Sequence, residues 1–257
     1  MNIRGAWGAM AMLLLGAAGI SCGVTDTGPD VPVSIEFKSP QLPSMIVNDQ
    51  LHDTLGNIDS LQAIVFNSTG DTIHGAATRY VHADTTHIVD IDSITGHVTA
   101  LDTGAARVVA QAGSLQSPPE TLFVVQTPTT FTSSTHLNDT LTFHPVRTDT
   151  LFPLSVALQA GTNPVNHYRI EYSFVSPAAL NTPDSTQILL TDANRHFSLV
   201  DTTGSTAVAG AATRYLRITP FTHFTTDTVV VEVRAFLPNH TPVPGSPLRF
   251  TVLVQIQ

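Results

Sequence analysis

Charge is what this chain has least of. Only 12% of its 257 residues are charged, and they sum to −9 with histidine counted neutral. Nucleic-acid binding needs clustered lysine and arginine, and lysine occurs once, at Lys38, so no nucleic-acid partner is expected. Cysteine also occurs once, at Cys22. No intramolecular disulfide can form, and stability must come from packing. The single tryptophan is Trp7. Glutamate is scarce and no amphipathic helical stretch of useful length occurs, while threonine and valine abound; that balance suits strands and is poor for helices. There is no Gly-x-Ser-x-Gly elbow, no His-Glu-x-x-His and no phosphate-binding glycine loop, so neither an enzyme nor a cofactor is implied.

What is present begins with an apolar run. Behind Arg4, residues Gly5 to Ile20 are almost all apolar or small and lead to Ser21-Cys22-Gly23. The run is too short to span a membrane and has the size of a cleavable secretory segment. Residues 1–21 are therefore expected to be a signal peptide. Gly19-Ile20-Ser21-Cys22 resembles the lipobox of bacterial lipoproteins, with glycine where leucine is commonest. The resemblance implies a lipid (diacylglyceryl and an acyl chain such as palmitate) on Cys22, making the membrane a partner. Several chains would anchor firmly, since each buried methylene contributes about 0.8 kcal/mol. Gly23 in place of aspartate implies the outer membrane by the same resemblance, on its surface or its periplasmic side. An ordinary signal peptide ending near a free cysteine is the alternative.

About 235 residues follow the cut, enough for one large or two ordinary domains. Residues 22–32 are small and polar and read as a tether. In residues 33–126, Val33-Ser34-Ile35-Glu36-Phe37 alternates cleanly and Leu61 to Phe66 is a second strand followed by turn chemistry at Asn67-Ser68-Thr69-Gly70-Asp71. Val89 to Ala100 reads as two strands around a turn with Gly96 at positive φ. The order Asp92, Thr95-Gly96, Val98-Thr99-Ala100, Gly104-Ala105-Ala106 and Val108-Val109 resembles bacterial immunoglobulin-like domains of group 2. Ala83-Asp84-Thr85-Thr86 departs from the usual turn of that family.

Residues 127–130 read as a short, semi-stiff linker. In residues 131–257 the alternation is sharpest. Tyr168, Ile170, Tyr172 and Phe174 form one face, as do Val229, Val231, Val233 and Ala235, and Leu248, Phe250, Val252, Val254 and Ile256. Period two over such lengths implies a half-buried antiparallel sheet, and a one-residue slip would bury Arg169 and Glu171. The strand Leu154 to Gln159, the turn Gly161-Thr162-Asn163-Pro164-Val165 and Thr228 to Val233 resemble the intimin and invasin type of immunoglobulin-like module (group 1), more loosely. The fold class expected is all-β: two tandem immunoglobulin-like antiparallel β-sandwiches after the signal peptide.

Candidate sites are few. Cys22 is the lipid-attachment residue. His74, His82, His87 and His97 crowd the first half, but His82 and His87 would face opposite sides of one strand, so solvated positions are favoured over zinc. Asp84, Asp90 and Asp92 lack a calcium-loop spacing. Tyr80 and Tyr215 are the candidate ligand contacts, as stacking residues for a glycan. They close an identical hexapeptide, Gly75-Ala76-Ala77-Thr78-Arg79-Tyr80 and Gly210-Ala211-Ala212-Thr213-Arg214-Tyr215, which is either a shared recognition patch or two strand entries built alike, the latter favoured. Two functions follow: a lipid-anchored, non-enzymatic envelope protein acting in adhesion or as a surface spacer, or a carbohydrate- or protein-binding accessory component of a surface complex.

Overall fold

The computed structural model describes residues 31–143, 149–177, 188–204, 208–219 and 227–256. Among these residues every regular element is a strand. The signal peptide, Cys22 and all but the end of the tether lie outside the described residues.

The chain builds two β-sandwiches in tandem, each around its own buried apolar cluster. In the first module a sheet runs Met45–Ile46, Glu120–Val125, Gly104–Ala112, Arg79–His82. Two antiparallel pairs complete it, Ser34–Lys38 with Gln62–Phe66 and Val89–Ile91 with Val98–Ala100. In the second module one sheet runs Thr130–Ser133, Thr150–Ala160, Ala211–Ile218, Ile188–Thr191. The other runs Asn138–Phe143, Leu248–Ile256, Asp227–Arg234, Arg169–Ser176, Val200–Thr202. Tyr168, Ile170, Tyr172 and Phe174 are buried, as are Val229, Val231 and Val233 and Phe250, Val252 and Val254. The inward positions of the period-two pattern are thus the core.

Both modules open in the same way. The first strand pairs antiparallel with the next long strand, and the chain then crosses to the opposite sheet. There it runs parallel to the module's last strand: Met45–Ile46 beside Val124 and Val125, and Asn138–Phe143 beside Thr251 to Ile256. A strand split across two sheets ties them together and lets the chain enter and leave at opposite ends.

Among the described residues one turn recurs four times. In residues 53–57, 67–71, 192–196 and 237–241 the first residue donates its N–H to the fifth residue's carbonyl, and the fourth donates to the first's. This is a type I turn followed by a left-handed residue in a three-residue hairpin loop. The left-handed position is Gly56 or Gly70 in the first module, but Arg195 (φ 69°) and His240 (φ 61°) in the second. Aspartate or asparagine opens three of the four. Asp53 Oδ1 accepts from the N–H of Leu55 and of Asn57, and Asn67 Oδ1 from those of Thr69 and Asp71. Asp192 Oδ1 accepts from the N–H of His196. The side chain supplies the acceptors that the tight loop leaves over.

The two copies of the hexapeptide fall in different sheets. Each begins with a positive-φ glycine, Gly75 or Gly210, and each leads into a strand. Their registers are opposite. Tyr80 points inward beside Ala110, whereas Ala212, Leu216 and Ile218 are the buried residues of the second copy's strand and Tyr215 is half-buried on its outer side. The match is one of local strand entry, not of a common surface.

Candidate functional site

The residues 126–129 that join the modules do not hang free. Pro128 is buried, and Thr129 donates its N–H to Gln159 O at 2.8 Å while its hydroxyl accepts from Gly161 N at 2.8 Å. The joint itself is made by strands. Met45 belongs to the first core, and Ile46, 5% exposed, belongs to the second. Their parallel partners divide likewise: Val124 lies in the first core and Val125 packs against the second. Successive residues of a strand point to opposite faces, so this two-residue ladder forms a wall with a different module on each side.

Around it the modules meet in two further places, beside which a hydrogen bond of the second module closes its end. Phe123 and His167 stack with ring centroids 3.7 Å apart and 3° between planes. His167 itself sits at φ 56°. The turn 53–57 abuts the turn 237–241: a methyl at Gly56 would lie 2.5 Å from His240 Cδ2 and 2.8 Å from Pro238 O. Tyr168, at the entrance to the second core, donates its hydroxyl to Phe236 O at 2.7 Å. Burial first, and the first module's Asp49 second, push that hydroxyl above its ordinary pKa. Among the described residues four non-glycine residues have positive φ, and two of them, His167 and His240, lie in contacts between the modules, while Asn48 lies two residues after Ile46. Left-handed backbone costs an ordinary residue about 1–2 kcal/mol, so contacts on both sides must hold it there.

A cleft opens beside the joint, walled by Leu42, Pro43 and Asp53 on one side and by Arg169, Glu171 and Pro238 on the other. Its charged groups have partners within their own modules. Arg169 Nε donates to Glu171 Oε1 at 2.9 Å, and hydrogen bonds from the Asn57 side chain and from backbone amides hold the Asp53 carboxyl below its ordinary pKa. His52, beside the same turn, bonds Asp49 Oδ1 at 3.1 Å. Among the described residues no group of three or more His, Cys, Asp or Glu side chains could hold a metal ion. What the joint offers is fixed geometry.

Each sequence-based site residue now has a place. Cys22 lies outside the described residues. Tyr80 is not a stacking platform: it is 5% exposed and meets Phe37 edge-on at 6.0 Å, as a core aromatic does. Its position after Arg79 on a half-buried strand puts it on the inner face, which composition alone did not reveal. Tyr215 is half-buried on an outer sheet face, across from Pro153 on one neighbouring strand and Thr191 on the other. His74, His87 and His97 are exposed and His82 is half-buried. Asp84 accepts from Thr86 and from Arg107 N, and Asp92 from Ile94 N and Thr95 N. Both carboxylates shape turns, and the hydrogen bonds from Thr86 and from Thr95 hold them below their ordinary pKa. Lys38 is exposed and bonds Gln62.

Two charged residues stand where alternation alone would not put them. Glu232 is on the outer face of its strand yet only 2% exposed, because Arg234 Nε (2.6 Å) and Arg249 Nε (2.7 Å) both donate to it. Arg214 occupies an inward position and bridges the sheets to Asp201 at 3.2 Å, to Ser198 Oγ at 3.3 Å and to Val200 O.

No family model matches the chain, and no curated protein matches it. Solved structures with a similar strand arrangement include domains 1–6 of the surface layer protein SbsC, at 11% identity and a TM-score of 0.33 over 88% of this chain and 29% of that one. The adhesin InvE of Yersinia pseudotuberculosis is similar at 11% identity and a TM-score of 0.34, over 82% of this chain and 56% of its own. Fibronectin(III)-like modules of Clostridium thermocellum CbhA match at 10% identity and a TM-score of 0.34, over 86% and 94%. The chain thus spans less than a third of the SbsC fragment and little more than half of InvE. The fold described above rests on its own pairings and cores.

Proposed function

We propose that the chain is a non-enzymatic, lipid-anchored cell-envelope protein whose two modules serve as a spacer of fixed geometry. One observation carries the spacer: Ile46 of the first module is a core residue of the second, so the modules cannot bend at the joint without opening a core. The anchor reading is supported by the lipobox-like Gly19 to Cys22, ahead of both modules. Labelling of cells with a fatty acid marks the wild type and spares Cys22→Ala; equal labelling of both removes the anchor. Protease added to intact cells clips the chain if it faces outward, and protection assigns it to the periplasmic side.

A second reading has one observation in its favour. Tyr215 is partly exposed beside Pro153 on a sheet face, an apolar ledge on which a sugar ring or a partner's apolar side chain can stack. A glycan array with purified protein tests it. Binding that disappears in Tyr215→Ala establishes an accessory binding role, and an array without signal leaves the spacer.

A further inference from the structure

In each module the second strand, reached directly from the entry strand, runs parallel to the exit strand, side by side. In the second module Asn138–Phe143 lies in register with Thr251 to Ile256 over six residue pairs. In the first, Met45–Ile46 lies against Val124 and Val125 over two. A pull applied to the two ends of the chain drags the entry strand one way and the exit strand the other. The inter-strand hydrogen bonds lie across the direction of sliding, so they are loaded together rather than opened one after another. The antiparallel pair ahead of each parallel ladder, Ser34–Lys38 with Gln62–Phe66 and Thr130–Ser133 with Val156 to Gln159, is stretched along its own axis as well. Once that pair slips, the parallel ladder alone holds the module shut.

On that geometry, and resting on the spacer reading, we propose that the chain bears mechanical load, with the second module as the clamp and the first as the link that yields before it. Six pairs resist where two do in the first module. The second core is further sealed at the joint: Phe131 of its first strand donates to Pro244 O at 2.9 Å, and its carbonyl packs against Gly245, at φ 95°, leaving no room for a side chain there. Failure of the first module withdraws Ile46 from the second core, so the first event also loosens the joint and lengthens the tether while the clamp still holds.

Single-molecule pulling on the full chain carrying Cys22→Ser, held at its two ends, reads this directly. Each residue freed adds about 3.4 Å, so the first module releases roughly 320 Å and the second roughly 430 Å of contour, which labels the two events. The shorter release comes first and the longer one at the higher force. A longer release at equal or lower force overturns the proposal. A second geometry keeps stability constant: cysteine handles at His136 and Pro244 pull the parallel strands apart from their shared end. There the pairs open singly and the force for the second module falls below that of the end-to-end pull; an unchanged force overturns the clamp. Neither result depends on the lipid. An unlabelled Cys22 with the force order intact removes the anchor and leaves the clamp standing.

Discussion

Met45 and Ile46 are consecutive on one short strand and are buried in different cores, 3% and 5% exposed. The alternation that normally separates core from solvent here separates one module from the next. The joint between the sandwiches is therefore an extension of both interiors.

Replacing Ile46 by alanine should destabilise the second module although the residue belongs to the first module's sheet. Removing a buried isoleucine side chain down to alanine costs about 2–5 kcal/mol. Chemical denaturation followed through the second module's aromatics should show its midpoint fall. Met45→Ala should lower the first module's transition instead. Equal effects of both substitutions on both transitions would show the two cores to be one unit.

Gly56 and Gly70 allow a paired test of the joint. Both sit at the left-handed position of the same turn, at φ 83° and 84°. A side chain at Gly70 meets open space, whereas one at Gly56 meets His240 and Pro238. Each alanine variant carries the same backbone strain, about 1–2 kcal/mol. Only Gly56→Ala should increase the radius of gyration in small-angle scattering, and a Gly70→Ala chain that expands equally would assign the effect to strain.

The strands of the second module were legible because tyrosine, isoleucine, valine and phenylalanine recur at period two with charges between them, and a sheet with one buried face imposes that pattern. The hairpin from Val89 to Ala100 was legible from Gly96, which stands at φ 73°. Ile46 was not legible. Met45, Ile46 and Val47 form an apolar run between Pro43-Ser44 and Asn48-Asp49, and three consecutive apolar residues show no period. The inward face of Tyr80 is not legible for a related reason: a four-residue strand, Arg79–His82, is too short to declare which face is inner. Arg214 and Glu232 are not legible because alternation predicts where charge faces, and each is held in part by a partner distant in sequence. For Asp201 and Arg249 those partnerships exist only once the sheets have formed.

Glu232 should make the second module sensitive to acid. Burial raises its carboxyl pKa, but the hydrogen bonds and charges of Arg249 and Arg234 outweigh burial and hold it below its ordinary value. A carboxyl depressed in the folded state adds stability that is present above the unfolded pKa, about 4.3, and lost as pH falls through the folded value. The second module's melting temperature should therefore drop as pH is lowered from about 5, and Glu232→Gln should flatten that slope. A variant whose melting temperature falls with pH as steeply as the wild type's assigns the acid sensitivity to another carboxylate, Asp149 beside Arg217 and Arg195 being next in line.

Asp139 guards an open sheet edge. Leu137 O accepts from Thr251 N at 2.7 Å, so the odd-numbered residues of Asn138–Phe143 turn their backbone groups to the neighbouring strand. The even-numbered ones turn theirs outward. An unpaired edge invites pairing with another chain, and the middle outward amide, Thr140 N, is covered by Asp139 Oδ1 at 2.7 Å. The opposite edge is covered by the same device, with Thr202 N bonded to Asp201 Oδ1 at 2.9 Å and Val200 O bonded to Arg214. Asp139→Ala removes both the cover and the charge while leaving the six inward pairs intact. The variant should keep its melting temperature within about 0.5 kcal/mol equivalent of wild type, as surface substitutions do, yet sediment as larger species with rising concentration. Wild-type-like sedimentation across the same range would show that the edge is protected by something other than this carboxylate.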